Sequence, residues 1–282
     1  MKSTKNKDKI NTKSYIIKNI ILSILLIFFG LLFTYSGYKI IRWKIDSNNT
    51  KKEIKEINKK VKIKDIKDND KTIIIEQENI PKEDPYWDFI KLNLIDVDFS
   101  KLLATNKNTK GWIQISGTNI NYPFVQTTDN SFYLTHSFNN SYNEAGWVFM
   151  DYRNDIENFD KNTILYAHGR YDNTMFGTLK DVFKNDWLNN TSNYTIKIST
   201  PYENTLWQVF SVYKIKTTDD YIQIYFKDNN EYQDFLNLIA NRTMHDFGTT
   251  VSTNDNILTL STCYNETEKV VLHAKLIKKE VK

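Results

Sequence analysis

Between residues 111 and 277 lie eight short runs rich in β-branched and aromatic residues: GWIQIS (111–116), INYPFVQ (120–126), GWVFMDY (146–152), NTILYAH (162–168), NYTIKIS (193–199), LWQVFSVYKIK (206–216), NILTLSTC (256–263) and KVVLHAKLI (269–277). Clusters of Gly, Asn, Asp and Ser separate them, the usual punctuation between strands. Two stretches of helical pattern interrupt the series, at about 174–188 and 229–242. So many strands with so few helices do not alternate as βαβ units. They predict a mainly β fold with helices, an eight-stranded barrel closed or nearly closed on itself. With 40% hydrophobic and 14% aromatic residues the chain can fill such a core, and its single cysteine excludes an intramolecular disulfide.

Ahead of the strands the chain changes character three times. Residues 1–19 form a basic tail, with six lysines against one aspartate. Residues 20–41 carry one charge, Lys39, and the 19 positions from Ile20 to Tyr38 carry none. That length matches a bilayer's hydrocarbon core, and the exit FTYSGYK lacks the small-residue pattern of a cleavage site. A single uncleaved membrane anchor is therefore predicted. Lys/Arg residues stand on both sides of it, so the positive-inside rule leaves its orientation open.

Residues 42–84 are rich in Lys, Glu, Asp and Asn and read as a charged stalk or linker. From 85 onward the composition is that of a folded domain, 85–282. Asp84 and Pro85 look like a helix start, with YWDFIKLNL as the apolar face, and VDFSKLLATN reads as a second short helix.

Charge and metal-ligand patterns remove two function classes. Setting the tail aside lowers the formal net charge from +4 to −1, which leaves no basic stripe for nucleic acid. No Cys/His pair has zinc spacing, so no metal is expected.

The chemistry centres on Cys263, which ends an apolar run and faces a turn. A cysteine nucleophile needs a partner to populate its thiolate, usually a histidine. Of the four histidines, His168 is the best placed. It ends the strand TILYAH and precedes Gly169, which would stand its ring at a barrel rim. His273 lies within a strand and reads as packed, while His136 and His245 sit in polar, loop-like surroundings. Strand alternation puts Ser261 and Cys263 on one face and Thr262 on the other.

These stretches, in this order, resemble a class B sortase. GWIQISGTNINYPFVQTTDNSFYL, GWVFMDYRN, NTILYAHGR and TLSTC followed by VVLHAKL all match, from about Asp84 to Lys279. The resemblance implies an eight-stranded barrel with N-terminal helices, anchored in a Gram-positive cell membrane with the catalytic domain outside. It implies a cysteine transpeptidase with Cys263 as nucleophile and His168 as catalytic histidine. Its partners would be surface proteins bearing a sorting motif and an amine of the peptidoglycan precursor. Cleavage energy is kept in a thioester, so no cofactor is implied. Ser261 and Thr262 beside the nucleophile are candidate substrate contacts. A pilin-polymerising sortase, a cysteine peptidase releasing its acyl-enzyme to water, and an inert wall-binding module are the alternatives.

The family's arginine, five residues before the small residue of the motif matched by VLHAKL, falls here on Lys269. Lysine supplies charge but no planar fork. Arg170 is the candidate substitute, and Arg153 in DYRN reads as a turn residue. Tyr264 and Asn265 occupy the loop where the family carries an acidic residue, and no carboxylate to orient His168 can be named.

Overall fold

The computed structural model describes residues 2–282 apart from 76–79, 81, 158 and 266. Residues 76–79 and 81 of the expected stalk thus lie outside the described residues, as does Met1 of the basic tail. The chain divides into two compact units, Met1–Asn48 and Asn49–Lys282. Helix α1 (Lys2–Lys60) supplies all the secondary structure of the first and opens the second. In the first unit an 18-residue apolar window has none of its residues buried, and the helix is long and apolar enough to cross a membrane. Ile20, Leu26 and Phe33 are among its exposed side chains.

The second unit begins well before the expected boundary at 85. Ile57 is buried in the main core, and Ile54 and Val61 pack against it. Strand β1 (Ile63–Ile66) then leads to β2 (Thr72–Ile74). Part of the stretch expected to be a charged stalk or linker therefore packs against the core of the second unit. The isoleucines of that stretch are too sparse among the lysines and glutamates to announce a buried face.

Helix α2 is only Tyr86–Phe89, and helix α3 only Ser100–Thr105. Asp84 does start the first, its carboxylate accepting from the Tyr86 N–H at 2.8 Å. Leu94 and Val97, at the facing ends of the two expected helical stretches, instead belong to β3 (Leu94–Val97), antiparallel to β1. The remaining strands are β4 (Thr109–Ile115), β5 (Asn121–Val125), β6 (Phe149–Met150), β7 (Asn162–Tyr166), β8 (Thr195–Ser199), β9 (Glu203–Lys216), β10 (Ile257–Cys263) and β11 (Glu268–Val281). They run side by side as β10-β7-β6-β5-β4-β8-β9-β11, and the β10–β11 pairing closes the ring, with β2 added beside β11. The eight-stranded barrel is as expected, although β6 is two residues where seven were foreseen.

Trp112, Trp147 and Trp207 fill the barrel's core. A register shift in the β9–β11 ladder, at Phe210, reverses which parity faces inward. Before it Trp207 and Val209 join the main core, and after it Val212 does. Phe210 and Tyr213 instead join a second cluster beneath helix α5 (Asn229–Asn241), after the short α4 (Asn185–Leu188). Asp228 caps α5, its carboxylate accepting from the Glu231 N–H at 2.9 Å. Tyr232, Phe235, Leu236 and Ile239 form its buried face, at i, i+3, i+4 and i+7. Leu238 points out at 37% exposure. The helix expected over 174–188 is broken into a 3-10 turn, Leu179–Phe183, and α4, because Lys184 between them is extended at ψ 143°.

His273 is fully buried, between the hydroxyls of Thr259 at its Nδ1 and Tyr213 at its Nε2, each at 2.8 Å. Burial, with help from the Arg242 charge, pushes its pKa down to about 3. The unfolded chain takes up this proton below about pH 6.5, whereas the folded one does not until about 3. Stability therefore falls as pH drops through that window. Between pH 7 and 5 wild type should lose about 2 kcal/mol more than His273→Gln, read from denaturant midpoints. Equal losses in the two proteins would refute a neutral buried histidine.

Candidate active site

The site lies where β7 and β10 run parallel. Their register pairs Tyr166 with Ser261, so two residues further along each chain His168 comes level with Cys263. The pairing is extended past β7 by side chains. Thr262 Oγ1 donates to the Ala167 carbonyl at 2.7 Å, and Gly169 lies directly against the backbone of Cys263. A Cβ at residue 169 would stand 2.1 Å from the Cys263 carbonyl oxygen, so only glycine permits this approach.

On its other side Cys263 pairs with Lys269 across the β10–β11 hairpin. The ammonium reaches the thiol, Nζ to Sγ 3.1 Å. The sulfur belongs to an exposed residue, and Lys269 is half-buried. His168 Nε2 lies 2.8 Å from the Leu134 carbonyl. A carbonyl only accepts, so this contact places the ring's proton on Nε2. A backbone oxygen thus does the orienting for which the sequence offers no carboxylate. Burial, then the charges of Arg170 and Lys269, hold the His168 pKa below its ordinary value, with the Leu134 bond opposing them.

Cys263, His168, Lys269, Ser261 and Thr262 all line one cleft of about 760 Å³. Arg170 does not line it. Its guanidinium is buried and engages the Asp172 carboxylate at 3.3 Å. Among the described residues no group of three His, Cys, Asp or Glu side chains could hold a metal. A thiol beside an ammonium, with an imidazole level with it at the mouth of a cleft, is a layout suited to acyl transfer.

The sortase domain model matches residues 113–277. Sortase B of Staphylococcus aureus is 40% identical over 184 residues, covering 64% of this chain and 75% of that protein. The structure of a Staphylococcus aureus sortase B–substrate complex superposes with TM-score 0.60 at 39% identity, covering 64% of this chain and 84% of that one. Sortase B from Bacillus anthracis, solved in complex with AAEK1, superposes with TM-score 0.65 at 32% identity, covering 83% and 99%.

The chain belongs to the class B sortases. It is a cysteine transpeptidase built on the sortase barrel.

Sequence reasoning about this sortase missed the residues that frame the cleft. Tyr221, buried in an irregular stretch, meets Ser261, Oη to Oγ 2.9 Å. Ser261 and Thr262 are thus both buried and both bonded within the protein, one to Tyr221 and the other to Ala167. Asp151, whose side chain is wholly buried, accepts from Tyr166 Oη and Asn130 Nδ2, both at 3.0 Å, and from Arg153. Burial disfavours its charge, but those donors outweigh it and hold its carboxyl below the usual range. Arg153 closes the expected turn, since its own N–H also reaches Asp151 at 3.0 Å. DYRN carried that signal as an acid two residues before an arginine. Nothing local announced Leu134 or Tyr221, whose parts depend on distant chain segments meeting.

Proposed function

We propose that this sortase cleaves a C-terminal sorting motif after threonine and joins the freed carbonyl to an amine of the cell-wall precursor. The observation that supports this reading is the contact of Lys269 with Cys263 at the mouth of the cleft that His168 also lines. Cys263 gives its thiol proton to His168, its sulfur attacks the threonine carbonyl carbon, and a tetrahedral oxyanion forms beside the Lys269 ammonium. The C–N bond then breaks, and protonated His168 gives its proton to the leaving amine. A thioester remains. The acceptor amine attacks it, loses a proton to His168, and the thiolate leaves.

In this reading residues 20–38 anchor the enzyme in the membrane with the barrel outside, where surface proteins and the wall precursor meet. The relative solved with substrate is a sortase B, which supports a sorting peptide as ligand.

The test is transfer by the full chain in detergent, with a peptide library and an amine acceptor. Ligated product supports the proposal, hydrolysis alone would make the chain a cysteine peptidase, and no turnover would sink it. Lys269 gives the assay a finer edge. Removing one preorganised donor to an oxyanion costs about 10²–10³ in rate. Lys269→Ala should lose kcat on that scale, and Lys269→Arg should keep or raise activity. Arg170→Ala should cost thermal stability more than kcat, because Arg170 is buried against Asp172. A Lys269→Ala enzyme within about threefold of wild type, with Arg170→Ala collapsed, would move the role to Arg170.

A further inference from the structure

Between β9 and α5 the chain runs from Thr217 to Asp228 without helix or strand, yet Thr217, Thr218, Asp219, Tyr221 and Ile222 form one wall of the cleft. An irregular segment of that length is ordinarily among the softest in a domain. Here it is tied down from outside the cleft. Arg242, at the end of α5, grips Asp220 with both arms of its fork, Nη1 to Oδ1 2.8 Å and Nη2 to Oδ2 2.6 Å. The same guanidinium lies over the Tyr213 ring, 5.8 Å from its centre. Two residues further on, the Ile222 carbonyl accepts from Arg153 Nη2 at 3.0 Å, and Arg153 is itself held by buried Asp151. The Gln223 carbonyl accepts from Asn162 Nδ2 at 2.8 Å.

We propose that Arg242 and Arg153 are positioning residues that hold Asp220–Ile222 as a preformed wall, so that the sorting peptide binds without having to order it. Neither arginine lines the cleft. A bidentate fork fixes direction as well as distance, which a point charge does not. Ordering flexible groups on binding costs affinity, and tethering them beforehand removes that cost. The wall should therefore govern KM, while Cys263, His168 and Lys269, carried at or just past strand ends, should govern kcat.

The peptide arm of this inference rests on the function proposed above. The full chain in detergent is compared as wild type, Arg242→Lys and Arg242→Met. The probes are the fastest peptide of the library, iodoacetamide alkylation of Cys263, and hydrogen exchange of residues 217–223. Arg242→Met should raise KM about tenfold with kcat within about twofold, while exchange in 217–223 speeds up and alkylation keeps its rate. Arg242→Lys, keeping the charge without the fork, should fall between. Unchanged exchange would overturn the proposal, as would kcat and alkylation falling as far as KM rises. If wild type turns over no peptide, the transpeptidase reading fails, and exchange and alkylation alone decide whether the wall is tethered.

Discussion

Cys263→Ala is expected to abolish both peptide cleavage and transfer while leaving the barrel folded. The chain holds no other cysteine to take over, and the hydroxyls of Ser261 and Thr262, just before it in the chain, are buried and bonded to Tyr221 and Ala167. Loss of a nucleophile elsewhere costs roughly 10⁶ in kcat. The sulfur sits on an exposed residue at a strand end, so its removal opens no core cavity and the thermal midpoint should stay close to wild type. Turnover above about one per cent of wild type, in protein verified free of the parent enzyme, would end the thioester mechanism. A collapsed midpoint would instead mean that Cys263 is a packing residue.

His168→Ala should lose about 10²–10⁴ in rate, the usual scale of general acid–base help. The other three histidines serve as controls because each has a structural occupation. His273 is locked between Thr259 and Tyr213, His136 stacks on Phe132 with ring centres 4.0 Å apart, and His245 meets the Tyr194 hydroxyl. Their substitution should cost stability at most, and an equally dead His273 variant would show that the strand-rim position is not what matters. The environment of His168 adds a second readout. Burial and the nearby cations lower its pKa, so its titration followed by NMR should fall below pH 6.5. Taking away the Lys269 charge favours the imidazolium, so in Lys269→Met the titration should move to higher pH. A downward movement would mean that Lys269 acts on His168 other than through its charge.

Much of this protein was legible along the chain. Strand runs such as TILYAH and ILTLSTC report themselves through β-branched and aromatic residues, and their number, with so few helices between them, implies a sheet closed or nearly closed on itself. The apolar stretch from Ile20 to Tyr38 reports itself through length. Cys263 and His168 each stand at the end of such a run, where a side chain meets solvent and a turn begins. All of these are local patterns, carried by residues within a few positions of one another.

Tertiary structure alone decided the rest, because it depends on which distant segments meet. The β7–β10 register sets His168 level with Cys263 from 95 positions away along the numbering. The hairpin register aims Lys269 at the sulfur, and the Arg170 guanidinium engages Asp172 instead of lining the cleft. The Leu134 carbonyl that orients the imidazole is a backbone atom, which any residue type would supply, so no amino-acid signal could mark it. The packing of residues 54–61 against the core was hidden for a related reason. Ile54, Ile57 and Val61 are too few to form an apolar stripe by themselves, and only the core waiting beneath them makes their burial favourable.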